Sequence, residues 1–121
     1  LNMSLAEKAR AAAHNYVAAI NAKNLDGLMA IFAEDAELVH PFGVFSGKQK
    51  LVEFYGGLVM LADTKLTVAR ESAENNICCV EVIGVSPQAP DKPQYAVDLF
   101  EVNDEGLVKN LSIYYRNFDL K

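Results

Sequence analysis

The order of local patterns predicts an α+β fold in which three N-terminal helices pack in a curved, mostly antiparallel sheet. Two observations carry this expectation. Up to Ala62 the apolar residues recur at helical spacing in three segments, and beyond it the chain turns to extended runs rich in β-branched and aromatic residues. A chain of 121 residues with 51% hydrophobic content supplies one core, so residues 1–121 are read as a single domain.

The first helix is placed over Leu5 to Ala22. Ser4 and Glu7 have capping-box spacing, and Leu5, Ala9, Ala12, Ala13, Tyr16 and Ile20 share one stripe. Asn24 is a candidate cap for a second helix, "LDGLMAIFAED", whose Leu25, Leu28, Met29 and Phe32 share a face. "AELVH" then reads as a short strand stopped by Pro41 and Gly43. Ser46 and Gln49 repeat the capping-box spacing before a third helix marked by Leu51, Phe54, Tyr55, Leu58 and Leu61. Four long strands follow in "TKLTVARESA", "NICCVEVIGVS", "PQYAVDLFEV" and "LVKNLSIYYRNF". "ENN" and "NDEG" are tight turns, while the prolines of "PQAPDKP" are expected to keep that longer connection out of the sheet.

Eleven basic against sixteen acidic residues give a formal charge of -5, which offers no footprint for a nucleic acid or an anionic membrane. No apolar run is long enough to span a bilayer, and the N-terminus lacks the basic-then-apolar order of a secretion signal, so a soluble cytoplasmic protein is expected. Met3 is a candidate natural start. Cys78 and Cys79 are adjacent, point to opposite faces of a strand, and read as reduced core residues. With only His14 and His40 besides, no metal ligand set forms, and no cofactor is expected.

Three polar residues break the apolar pattern. Tyr16 lies on the stripe of the first helix, His40 ends the short strand, and Asp98 interrupts a strand otherwise apolar on both faces. Alternation puts Asp98 with Ala96, Phe100 and Val102, so its carboxyl either finds a donor or rises in pKa. Each also has a plain structural reading: Tyr16 as core filler, His40 bonded at a turn, and Asp98 paired with Arg70 or Arg116 across the sheet. His14 stands about 200° from Tyr16 around an ideal helix and is expected to be solvated.

The element order and the strings "YVAAINAKNLDGLMAIFAEDAELVHPFG", "SGKQKLVEFYGGL" and "YAVDLFEVNDEGLVKNLSIYY" resemble the ketosteroid isomerase and SnoaL-like branch of the NTF2-like superfamily over nearly the whole chain. The resemblance implies a cone with a deep apolar pocket between sheet and helices. In ketosteroid isomerases a tyrosine and a protonated aspartic acid form an oxyanion hole, opposite an aspartate base. Tyr16 matches the tyrosine, Asp98 the acid and Tyr55 a supporting tyrosine, while His40 in "LVHPFG" stands where the family keeps its base. A neutral imidazole that accepts a proton becomes a cation facing the enolate, so the replacement changes the pH dependence without excluding catalysis.

Two readings follow. In one, His40 moves a proton next to a carbonyl, in isomerisation or dehydration, while Tyr16 and neutral Asp98 hold the oxyanion. In the other, the same pocket binds a hydrophobic carbonyl or phenolic molecule without chemistry. An epoxide-hydrolase relay lacks its aspartate partners. Strand parity and the family pattern place Phe32, Leu38, Phe54, Tyr55, Leu58, Val82, Phe100, Leu111, Ile113 and Tyr115 in the pocket wall. Tyr95, Val97 and Leu99 on the outer face suggest a homodimer packed through the sheets.

Overall fold

The computed structural model describes residues 2–116. Helix α1 spans Leu5–Ala22, and both halves of its capping box form, with Ser4 accepting from the Glu7 amide and Glu7 accepting from the Ser4 amide. Lys23 ends it in the left-handed region, and Asn24 caps α2, Leu25–Ala30, by accepting from the Gly27 amide. These two starts follow the sequence expectation.

The second helix ends earlier than expected. Ile31 closes it, and Phe32–His40 is strand β1, so Phe32 belongs to the sheet and not to a helical face. Phe32 pairs with Val108, and the Val108 amide donates to the Ile31 carbonyl, so long-range pairing overrides local helical spacing. A second departure is β2, Gly43–Ser46, which folds back on β1 across the two-residue turn Pro41–Phe42. Gly43 sits at φ 140°, a conformation open essentially to glycine alone. The Ser46–Gln49 capping box does not form. Ser46 is in β2 opposite Glu37, and Gly47 starts α3, Lys48–Phe54.

From α3 the helix continues through a π-helical segment, Tyr55–Val59, into α4, Met60–Ala62, with the backbone right-handed throughout. Four long strands follow: β3 Lys65–Glu74, β4 Ile77–Ser86, β5 Ala89–Val102 and β6 Val108–Tyr115. The last run was expected to reach Asn117 and Phe118, which lie outside the described residues. The proline-rich stretch is a further correction, because Pro90 and Pro93 lie within β5. There the β4–β5 pairing is irregular between Ala89 and Gln94, with a register shift opposite Gly84–Ser86. Prolines are accommodated within strands at such irregularities.

The sheet order is β2-β1-β6-β5-β4-β3, with only the β1–β6 pair parallel. On β5 the inner residues Ala96, Asp98, Phe100 and Val102 are buried and alternate with half-buried ones, so the expected parity holds. The buried stripe of α1, Ala9, Ala13, Tyr16 and Ile20, joins this face in one core with Phe32, Leu38, Leu51, Phe100 and Leu111. Full burial of each large side chain contributes about 1.5–3 kcal/mol relative to exposure. Cys78 is in this core and Cys79 is half-buried on the opposite face. Among the described residues no helix is long and apolar enough to cross a membrane.

Candidate functional site

A cavity of about 250 Å³ lies between the inner sheet face, α1 and the α3–α4 helix. Tyr16, His40 and Asp98 all line it, brought there by α1, β1 and β5. Of the expected wall residues, Phe54, Tyr55, Leu58, Val82, Ile113 and Tyr115 line it as well. Phe32, Leu38, Phe100 and Leu111 do not. They are fully buried, and the Phe32 and Phe100 rings pack edge-on against Tyr16 at 6.4 and 5.1 Å. Parity chose the correct face for Phe100 and Leu111, but it carries no information on depth along a strand, and these residues occupy the closed core.

Sequence reasoning missed Ile20, Phe42, Val59, Thr64, Gln94 and Ala96 in the lining. Ala96 shares parity with Asp98 and Ile20 shares the Tyr16 stripe, so both were accessible to the same argument. Gln94, within β5, has the same parity, whereas Thr64 precedes β3 and carries no periodic signal.

The polar groups divide into two sets. At the first, the Tyr16 and Tyr55 hydroxyls are 2.8 Å apart and fully buried. Desolvation raises both tyrosines far above the ordinary phenol range, so both are neutral. Asp98 is 3% exposed, and no protein group among the described residues hydrogen-bonds its carboxyl. Burial alone pushes it up to about 7. Neither arginine reaches it: Arg70 makes a two-pronged bond to Glu81 at 3.0 and 3.1 Å, and the Arg116 guanidinium stacks 3.9 Å from the Tyr95 ring centre. The Tyr16 hydroxyl bonds that of Tyr55 and not the Asp98 carboxyl.

The second set is His40 and Tyr115. The turn after β1 bends so that the Phe42 amide donates to His40 Nδ1 at 3.1 Å, while Nε2 lies 3.4 Å from the Tyr115 hydroxyl. Phe42 and Phe54 flank the imidazole, with ring centres 5.2 and 4.9 Å away. Desolvation lowers His40 to about 4 and raises Tyr115 to about 12, the latter with a smaller push from Asp98. His14 is on the other side of α1, bonded to Glu71 at 2.7 Å, and takes no part.

Solved structures share this architecture. A candidate ketosteroid isomerase from Kribbella flavida superposes with a TM-score of 0.83 at 24% identity, covering 99% of this chain and 86% of that one. A candidate polyketide cyclase from Sinorhizobium meliloti gives 0.76 at 18%, covering 84% and 92%. Rv0760c from Mycobacterium tuberculosis, in complex with estradiol-17β-hemisuccinate, gives 0.77 at 17%, covering 93% and 95%. Identities this low show the fold, the NTF2-like cone, and leave the chemistry to the site. The SnoaL-like domain family matches residues 13–110, a span from within α1 into β6 that contains Tyr16, His40 and Asp98, and the chain belongs to that family.

Proposed function

We propose that the protein binds a small hydrophobic molecule through a carbonyl or phenolic oxygen received by Asp98 beside the Tyr16–Tyr55 pair. One observation carries the reading: a carboxyl 3% exposed, bordering a cavity and bonded to no protein donor or acceptor among the described residues. Such a group costs stability unless a ligand satisfies it. Protonated, it donates one strong hydrogen bond to an acceptor oxygen in a low-dielectric site. The steroid ester in Rv0760c and the isomerase and cyclase assignments of the other neighbours are consistent with ligands of this class. Titration with 2-naphthol, followed by its fluorescence, tests the reading. Wild-type protein is expected to saturate, and Asp98→Leu to bind at least tenfold more weakly. Equal affinities would remove Asp98 from the site.

A second reading, proton transfer next to the carbonyl with His40 as base, has its own support. Desolvation brings His40 to about 4, the proton affinity of a carboxylate base. In that reaction a carbon α to the carbonyl loses its proton, the electrons move to the oxygen held by Asp98, and the proton returns at the γ carbon. No co-reactant is needed. Conversion of a cyclic β,γ-unsaturated ketone to its conjugated isomer, with a rate falling below the His40 pKa and abolished in His40→Phe, would establish it.

We also propose that the protein forms a homodimer through the outer sheet face, where Tyr114 is 59% exposed and Tyr95, Val97 and Leu99 are half-buried. Sedimentation should give twice the chain mass for the wild type and a monomer for Tyr114→Glu.

A further inference from the structure

We infer that Gly84 sets the length of ligand that the cavity accepts. The bound molecule is an elongated, rigid, apolar body lying along β4 and β5, with its oxygen at Asp98 and its far end over Gly84. The inference rests on the proposed binding function and adds to it the shape of the ligand and the residue that selects for that shape.

Register gives the cavity a direction. On β5 the successive inner-face residues Asp98, Ala96 and Gln94 line it, and on β4 so do Val82, opposite Ala96, and Gly84, opposite Gln94. On the other side of Asp98, Phe100 and Val80 are packed into the closed core, 0% and 2% exposed. Asp98 therefore stands at the inner end. From it the floor runs to the Gln94–Gly84 pair, about 13 Å of strand at roughly 3.3 Å per residue. That span is longer than a naphthol skeleton.

Backbone conformation does not demand glycine at the far end, because Gly84 is not among the glycines with positive φ. Glycine inside a strand weakens it and marks a place where something approaches closely. Here Thr64 and Leu66 approach. A Cβ on Gly84 would stand 3.1 Å from Thr64 Cγ2 and 3.3 Å from Leu66 Cδ2, both tighter than ordinary van der Waals contact, and both residues line the cavity. The Leu66 backbone is held in place. Asn21, near the end of α1, donates its side-chain amide to the Leu66 carbonyl at 2.9 Å and accepts from the Leu66 amide at 2.7 Å. Lys65 Nζ adds a bond to the Asn21 carbonyl at 2.8 Å. A side chain at position 84 must therefore displace the Thr64 and Leu66 side chains or occupy the slot itself, and either outcome shortens the space beyond Ala96.

Two probes with the same head group test the inference: 2-naphthol, and 6-phenyl-2-naphthol, which extends that skeleton away from its hydroxyl. By calorimetry the wild-type protein should bind the longer probe about tenfold more tightly, because its phenyl ring is buried over Gly84. Gly84→Val should lower that ratio by about tenfold and Gly84→Ala by about threefold. Thr64→Ser removes the methyl group that the new carbon would meet, so Gly84→Ala combined with Thr64→Ser should recover part of the ratio. Circular dichroism identifies a variant that fails to fold, and Gly84→Ala then carries the comparison. A phenyl advantage that is missing from the wild type, or that persists undiminished in both glycine variants, would overturn the inference and leave the proposed function standing. An equal loss for both probes would also overturn it, since Gly84 would then serve packing alone. No binding of either probe to the wild type would overturn the proposed function and this inference together.

Discussion

Replacing Asp98 by asparagine isolates the energetic consequence of burying a lone carboxyl. In the folded protein this group titrates at about 7 against 3.8 for the free side chain, with desolvation the sole cause. The folded state therefore holds the proton more tightly than the unfolded chain does. Its contribution to stability is fully present below 3.8 and is lost as the pH rises toward about 7. At about 1.36 kcal/mol per pH unit, that interval amounts to a change on the order of 4 kcal/mol. His40 acts in the opposite sense over much of the same range, since its pKa is lowered from 6.5 to about 4 and it destabilises the fold as the pH falls. The total stability of the wild type thus conceals both effects. The difference between wild type and Asp98→Asn cancels His40 and the surface carboxylates. Urea unfolding across the acid-to-neutral range should show that difference falling as pH rises, on the order of 4 kcal/mol in all, and flattening above about pH 7. A flat difference, or one that grows with pH, would mean that Asp98 is a solvated or paired carboxylate and would refute the reasoning.

Tyr16→Phe and Tyr55→Phe each break the 2.8 Å hydroxyl pair and should cost about 1–3 kcal/mol in urea unfolding. The double variant should cost less than the two singles together, because they share one bond. Gly43→Ala places a side chain at φ 140° with no atom within 4 Å of the added carbon, so the loss of about 1–3 kcal/mol is purely backbone strain and should appear as a lowered thermal midpoint. Native protein treated with a thiol reagent should react first at half-buried Cys79, with Cys78 protected until unfolding.

The parts of the fold that were legible in the sequence are those set by neighbouring residues. The Ser4–Glu7 box, the Asn24 cap and the alternation around Asp98 are short-range patterns, and the structure repeats them. What sequence periodicity missed depends on distant partners. Phe32 lies within three residues of helical signal but is claimed by Val108, and Pro90 and Pro93 enter a strand where its register with β4 shifts. Site residues follow the same division. Tyr16, His40 and Asp98 could be named from pattern breaks and family resemblance. The acceptor role of His40 Nδ1 depends on the backbone direction at Phe42, which no side-chain pattern encodes.

Asp98 and His40 also set the charge of the cavity jointly. Asp98 is neutral below about 7 and His40 is neutral above about 4, while Tyr16, Tyr55 and Tyr115 are all raised. Between those limits the described lining carries no formal charge, and an apolar ligand enters without desolvating one of these groups. Above the upper limit Asp98 is ionised in the empty site, and among the described residues no lysine or arginine in the lining compensates it. A ligand that presents an acceptor oxygen can then bind only as a proton is taken up, because two acceptors repel one another. Calorimetry of 2-naphthyl methyl ketone in buffers of different ionisation enthalpy should therefore show uptake approaching one proton at about pH 8 and none in mildly acidic buffer. Asp98→Asn should abolish the uptake while retaining a donor for the ketone. Uptake that persists in this variant would assign the proton to another group, and binding without uptake in the wild type would show that the ketone oxygen does not meet Asp98.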